Sequence, residues 1–151
     1  MTSERWTPHA TVATIVERDG RFLMVEEYAQ GTIPVINQPA GHIEEGETVI
    51  AAARRETLEE TGWSVEPRGL VGLYIYTSPV NGVTYHRYCL YAEAIAEVSD
   101  AILDEGIIGP RWLTLEELQT TAQLRSPMVL TCVEDYVAGK RYPLDVIIEH
   151  P

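Results

Sequence analysis

The sequence predicts an α+β fold in which a mixed β-sheet is flanked by helices. Two observations carry that reading. Alternating, β-branched stretches such as HATVATIVER coexist with stretches of helical periodicity such as VIAAARRETLEE, and the two kinds do not follow one another in a regular strand–helix–strand order.

The elements are read in chain order. HATVATIVER and RFLMVEE flank Asp19-Gly20, a pair suited to a tight turn, so the two stretches form a predicted hairpin. From Tyr28 to Pro39 the chain reads as loop, broken by Gly31, Pro34 and Pro39. Gly41 then opens a turn into a helix. Val49, Ile50, Ala52 and Ala53 form its apolar stripe, and Gly62 closes it as a C-cap residue. Two long strands follow, around Leu70 to Tyr76 and Thr84 to Ala96, joined near Asn81-Gly82. PRWLTLEEL gives a short strand and then a helix that Thr114 and Glu117 begin as a capping box. A last helix begins at Ser126-Pro127, as N-cap and first-turn proline, and ends by Gly139. No repeat, low-complexity tract or linker interrupts the chain, and 151 residues suit one well-buried core, so one domain is expected over residues 1–151.

Composition narrows the partners. Eleven basic against 23 acidic side chains leave a net charge of -12, which argues against a nucleic-acid polymer or an anionic membrane surface. A small phosphorylated substrate remains open if a metal screens its charge. Lys140 is the only lysine, so phosphate contacts are expected from arginine, whose planar fork suits bidentate binding. Cys89 and Cys132 lie in apolar patterns without metal-type spacing and read as buried free thiols, which fits a reducing compartment. With no basic-then-apolar leader in MTSERWTPHATVATIV and no stretch long enough to span a bilayer, a cytoplasmic protein is expected.

The chemistry concentrates in GHIEEGETVIAAARRETLEETG. Positions three and four apart share a helix face, so Glu56 projects beside Glu59 and Glu60. Like charges repel there, and the helix dipole disfavours anions near the C-terminus, so helix stability does not account for the cluster. A divalent cation does. Hard ions such as Mg²⁺ take oxygen ligands and are shared between a few carboxylates and a substrate phosphate. A merely solvated acidic helix is the plainer reading, but the apolar stripe packs one side and so gives the carboxylates a defined direction. Arg55, adjacent to Glu56 and one turn from Glu59, is placed to orient a carboxylate and offset the repulsion.

The order Gly41, Glu47, Arg55-Glu56, Glu59-Glu60, Gly62, Trp63 resembles the Nudix box, the signature of hydrolases acting on a nucleoside diphosphate linked to another group. Every charged and glycine position of the box is filled. Thr57 departs from the aliphatic residue usual after Arg-Glu; its methyl group is expected to face the core and leave the metal site untouched. HATVATIVERDGRFLMVEE, NQPAGHIE and LRSPMVLTCVEDYVAGKRYPLD are similar to segments of NudJ-type Nudix phosphatases, and with the box they cover roughly half the chain. The resemblance implies an α/β/α sandwich around a mixed sheet and a Mg²⁺-dependent phosphatase, Mn²⁺ being a possible substitute. It implies terminal-phosphate cleavage of nucleoside tri- and diphosphates or of hydroxymethylpyrimidine pyrophosphate.

By position, the resemblance makes Glu56, Glu59, Glu60 and the backbone carbonyl of Ala40 the metal ligands, with Glu47 pairing to Arg55. A metal-activated water would attack phosphorus while Glu59 or Glu56 accepts its proton. Some relatives add an acidic residue shortly before a tryptophan; before Trp112 the nearest are Asp104 and Glu105, with Glu105 the one considered, against an exposed loop carboxylate. On the substrate side, Asn37 and Gln38 either read a base edge or cap a turn. Arg87 and Arg125 either meet phosphate or are surface charge. His42 either touches phosphate or is solvated. Trp6, Tyr74, Tyr76, Tyr85 and Tyr88 either stack a ring or fill the core. Two other readings compete: a pyrophosphohydrolase acting on ADP-ribose, a nucleoside-diphosphate sugar or an oxidised nucleotide, and a non-catalytic ligand-binding module on the same scaffold. A calcium loop is excluded, since no alternating Asp/Asn run with a central glycine occurs. Oligomeric state is left open.

Overall fold

The computed structural model describes residues 4–29 and 31–150. Strands β1 (His9–Arg18) and β2 (Arg21–Glu27) are joined at Asp19 and Gly20, both at positive φ (52° and 77°), the backbone a two-residue hairpin turn requires. The hairpin is paired only beside its turn, at Glu17↔Phe22 and Arg18↔Arg21. Beyond that the two strands part. Strand β1 runs parallel to β6 (Thr84–Glu97), from His9↔Tyr85 to Val16↔Ala92, and antiparallel to β4 (Ala40–His42). Strand β2 pairs with β3 (Val35–Asn37) and with β7 (Ile107–Thr114). Strand β5 (Trp63–Thr77) forms a long hairpin with β6 and carries the two-residue β8 (Tyr142–Pro143) on its other edge. The sheet is therefore mixed, as expected.

Among the described residues three α-helices cover it: α1 (Val49–Thr61), α2 (Leu115–Thr120) and α3 (Pro127–Val137). Consecutive residues of β1 face opposite ways, which makes the sandwich. Val12 packs with Leu90 against Val49, Ala52 and Ala53 of α1, while Ala13 and Ile15 pack with Val71 against Val129, Cys132 and Val133 of α3. Fully burying an aliphatic side chain contributes about 1.5–3 kcal/mol, so the first layer holds α1 against the sheet and the second holds α3. A third cluster, Val16, Leu23, Trp63 and Val65, closes the end near the α1 C-terminus, with the Trp63 and Trp112 rings edge-to-face at 5.5 Å.

The caps that end these helices follow the sequence with one exception. Thr48 Oγ1 accepts from the Ala51 N–H, Gly62 (φ 76°) donates to the Leu58 carbonyl, and Thr114 with Glu117 forms the capping box. Ser126 occupies the N-cap of α3 but its side chain makes no capping bond, leaving Pro127 as the start signal. Three boundaries differ from expectation. The loop before Pro39 contains β3, a three-residue strand too short to show a period. The strand expected from Leu70 begins at Trp63, because bulges between Ser64 and Gly72 absorb Pro67 and Gly69. Strand β7 begins at Ile107, ahead of the expected start at Pro110, and tolerates that proline because it lies at a sheet edge. Thr57 is fully buried and its hydroxyl donates to the Ala53 carbonyl at 2.8 Å, so it fills the core without an unsatisfied polar group. Both cysteines are buried free thiols, and no helix among the described residues is long and apolar enough to cross a membrane.

Candidate active site

The last two turns of α1 present Arg55, Glu56, Glu59 and Glu60 toward the short strand β4 and the turn before β7. Arg55 organises them. Its Nε and Nη2 donate to the two oxygens of Glu47 (2.6 and 2.9 Å), and Nη1 donates to Glu56 (2.8 Å) and Glu59 (3.2 Å). Nη2 also donates to the His42 carbonyl at 3.0 Å, which ties the helix to β4. The expected Glu47–Arg55 pair is thus present as a bidentate fork, and it holds the Glu47 carboxyl below its ordinary range. Only a planar guanidinium reaches all these acceptors at once.

Glu56, Glu59 and Asp104 each bring a carboxylate oxygen within 4.8 Å of the others. Asp104 is delivered by the turn before β7, where its N–H donates to the Glu59 carbonyl at 3.0 Å. Glu105, the neighbour considered from sequence, is not among the converging groups. Glu56 is pressed against Gly41: a Cβ there would fall within 3.0 Å of its Cδ and of both carboxylate oxygens. Glu60 lies deeper, 7% exposed, and its Oε1 accepts from the Ala40 N–H at 2.7 Å. Ala40 thus meets this helix through its N–H. Burial pushes the Glu60 carboxyl up to about 9; the Ala40 hydrogen bond opposes this, and Glu27, Glu56 and Asp104 reinforce it. Burial likewise raises Glu56, against the pull of Arg55 and with Glu59 and Asp104 adding to the rise. Oxygen-only donors crowded together with an excess of negative charge fit a hard divalent cation.

A cleft of about 500 Å³ adjoins this group on the α3 side of the sheet. Its lining includes Ala40, Gly41 and His42 of β4, Arg87 of β6, and Asn37 and Arg125. Three of the four substrate-side residues expected from sequence are therefore together. The fourth, Gln38, is 1% exposed and lies behind the wall, where its Oε1 accepts from Arg87 Nη1 at 3.1 Å. Asn37 and Arg125 share a partner that sequence reasoning missed. The buried Glu27 accepts from Arg125 at 2.6 Å and from Asn37 at 3.3 Å. As one of two adjacent glutamates ending a strand, Glu27 carries no signal of burial in the sequence.

The aromatic candidates divide. Tyr76 and Tyr85 line the cleft. Tyr74 is held by its hydroxyl donating to Asp135 at 2.7 Å, Tyr88 packs toward α1, and Trp6 meets His86 edge-on at the surface. His42 lies on the cleft wall with its ring nitrogen 2.9 Å from His9, and the pair stands edge-on to Tyr85.

Comparisons with known proteins place the fold in a family. The NUDIX domain model matches residues 6–131. A curated relative, phosphatase NudJ of Escherichia coli, is 38% identical over 140 residues, covering 93% of this chain and 90% of its own. A solved NUDIX hydrolase from Nitrosomonas europaea superposes with a TM-score of 0.93 at 44% identity, over 95% of this chain and 98% of that one. A MutT NUDIX hydrolase from Burkholderia pseudomallei shares the fold at 20% identity, with a TM-score of 0.73 over 86% of this chain and 98% of its own. The chain belongs to the Nudix hydrolases, enzymes that act on phosphoric anhydrides.

Proposed function

We propose that this enzyme is a Mg²⁺-dependent phosphatase that removes the terminal phosphate of small organic di- and triphosphates. Nucleoside tri- and diphosphates and hydroxymethylpyrimidine pyrophosphate are the candidate substrates. The observation that carries the reading is the convergence of Glu56, Glu59 and Asp104 beside a cleft that holds arginine and aromatic side chains. The 38% identity to a phosphatase over nearly the whole chain supports orthophosphate as the product.

Glu56, Glu59 and Asp104 would hold the ion, with Glu60 and the Ala40 carbonyl completing the set by family resemblance. A bound Mg²⁺ lowers the pKa of a coordinated water and neutralises phosphate oxygens. The chain supplies the rest. Arg55 fixes the rotamers of Glu56 and Glu59 through the 2.8 and 3.2 Å bonds, so their oxygens stay aimed at one point. Either carboxylate is placed to accept a proton from the attacking water. Gly41 lets Glu56 approach the β4 backbone, and α1 is kept from shifting by its packed apolar face.

A substrate panel with Mg²⁺, resolving orthophosphate from pyrophosphate, tests the proposal. Orthophosphate from nucleoside di- and triphosphates, or from the pyrimidine diphosphate, is the expected result; pyrophosphate as sole product would overturn it.

A further inference from the structure

Thr11 of β1 is the register partner of both His42 of β4 and Arg87 of β6, so these three side chains stand in a row across three strands on the cleft side of the sheet. Arg87 is 8% exposed, and its single side-chain hydrogen bond among the described residues is the one from Nη1 to the Gln38 amide oxygen. Its Nε is buried without a partner among the described residues, and the buried Oγ1 of Thr11, its register partner on β1, has none there either. No carboxylate forms an ion pair with Arg87 among the described residues, whereas Arg125 at the cleft edge has Glu27 at 2.6 Å. A guanidinium does not lose its proton, and burying it unpaired is costly. Two unsatisfied polar groups on residues that line one cleft describe a place for an anion that brings its own acceptors.

The position of the row decides which anion. Gly41, next to His42 on β4, turns its bare Cα toward Glu56, and β4 stands about two strand spacings, roughly 10 Å, from the β6 backbone that carries Arg87. An arginine side chain and a diphosphate together span that gap. On the other side the cleft becomes apolar and aromatic, with Tyr76, Tyr85 and Val80.

Resting on the phosphatase reading above, we propose that Arg87 and Thr11 bind the phosphate that remains on the product, while the terminal phosphate lies at the carboxylates and a flat organic group stacks between Tyr76 and Tyr85. Water oxygen then bonds to the terminal phosphorus and the bridging oxygen departs on the phosphate held by Arg87. One water is consumed and orthophosphate is released, with an organic monophosphate from a diphosphate and an organic diphosphate from a triphosphate. The seat selects substrates with at least one phosphate between the organic group and the terminal phosphate, and it makes the organic monophosphate a competitive inhibitor.

The test uses Mg²⁺-loaded enzyme, the substrate panel above, and calorimetric titration with AMP and with inorganic phosphate. Arg87→Gln is expected to raise KM about 10- to 100-fold, to weaken AMP to a similar degree and to change kcat much less; Arg87→Lys should recover part of the loss. Thr11→Val removes a hydroxyl that has no partner among the described residues, so a purely structural residue would leave Tm unchanged or raised with KM unaffected. A several-fold rise in KM with Tm maintained is the result expected of a ligand contact. Unchanged KM and AMP affinity in both variants would overturn the seat even if the wild type is a good phosphatase. So would failure of the wild type to bind AMP or phosphate at all. If the wild type releases only pyrophosphate, or nothing, the phosphatase reading fails first, and the titrations still decide whether Arg87 binds an anion.

Discussion

Gly41→Ala is the most exacting perturbation of this site, because it adds one methyl group at the point where strand and carboxylate touch. The new Cβ would lie under 3.0 Å from Cδ, Oε1 and Oε2 of Glu56, against ordinary contacts of 3.4–4 Å. The carboxylate would have to retreat by about 1 Å, and a misplacement of that size costs on the order of 10²-fold in rate. Glu56 is tethered on its far side by Arg55 at 2.8 Å, so the retreat also disturbs the Arg55 fork. Gly41 is not among the glycines at positive φ, so alanine meets no backbone strain there, and the clash is with the free end of a flexible side chain. Stability should therefore fall little. The assay pairs thermal unfolding with kcat/KM at several Mg²⁺ concentrations. An activity within about threefold of wild type, with unchanged Mg²⁺ dependence, would refute the claim that Glu56 must sit against β4 to act.

Four further outcomes are expected. Arg55→Lys keeps the charge but loses the fork, so the Mg²⁺ concentration needed for half-maximal activity should rise about 10- to 100-fold, as read from metal titrations. Asp104→Asn should raise the same Mg²⁺ requirement while Glu105→Gln leaves it unchanged; the reverse order would remove Asp104 from the metal group. Gly69→Ala would drive a Cβ into the Tyr91 ring, a rigid group far from the carboxylates, and should cost about 1–3 kcal/mol in denaturant melts with turnover per folded molecule preserved. Mg²⁺ at about a hundred times its Kd should stabilise the fold by roughly 2.7 kcal/mol in thermal melts, reversibly on chelation, and this shift should shrink in Asp104→Asn.

The parts of the site legible in the sequence are those set by one helix and its caps. Spacing alone places Glu56 beside Glu59, and Gly62 and the apolar stripe fix the direction of α1. The cleft was legible only as separate candidates, because Arg87, Asn37 and Arg125 come from three distant segments that the sheet brings together. Asp104 and Glu105 are indistinguishable by composition. What separates them is the Asp104 N–H bonded to the Glu59 carbonyl, a long-range contact that leaves no local pattern. Trp63 to Gly69 escaped as strand for a different reason: Pro67 and Gly69 oppose strand propensity locally, and pairing with β6 overrides them through bulges.

Strand β4 joins the carboxylate cluster to the cleft. It has three residues, and each meets a different demand. The Ala40 N–H is bonded to Glu60, Gly41 leaves room for Glu56, and the His42 carbonyl receives Arg55 while its ring faces the cleft. The same three residues are paired to β1 at Thr11, Val12 and Ala13, which fixes them relative to Arg87 through the parallel pairing of β1 with β6. A change in the position of α1 therefore moves β4, and β4 cannot move without disturbing the sheet that carries Arg87. Because α1 is clamped by Val12 and Leu90 on its apolar face, the carboxylates and the guanidinium are held at one separation before any substrate arrives. On the proposed reaction, that fixed separation would set which phosphorus of a bound substrate meets the attacking water, and the choice of leaving group would belong to the β4–β1–β6 register as much as to the acidic helix.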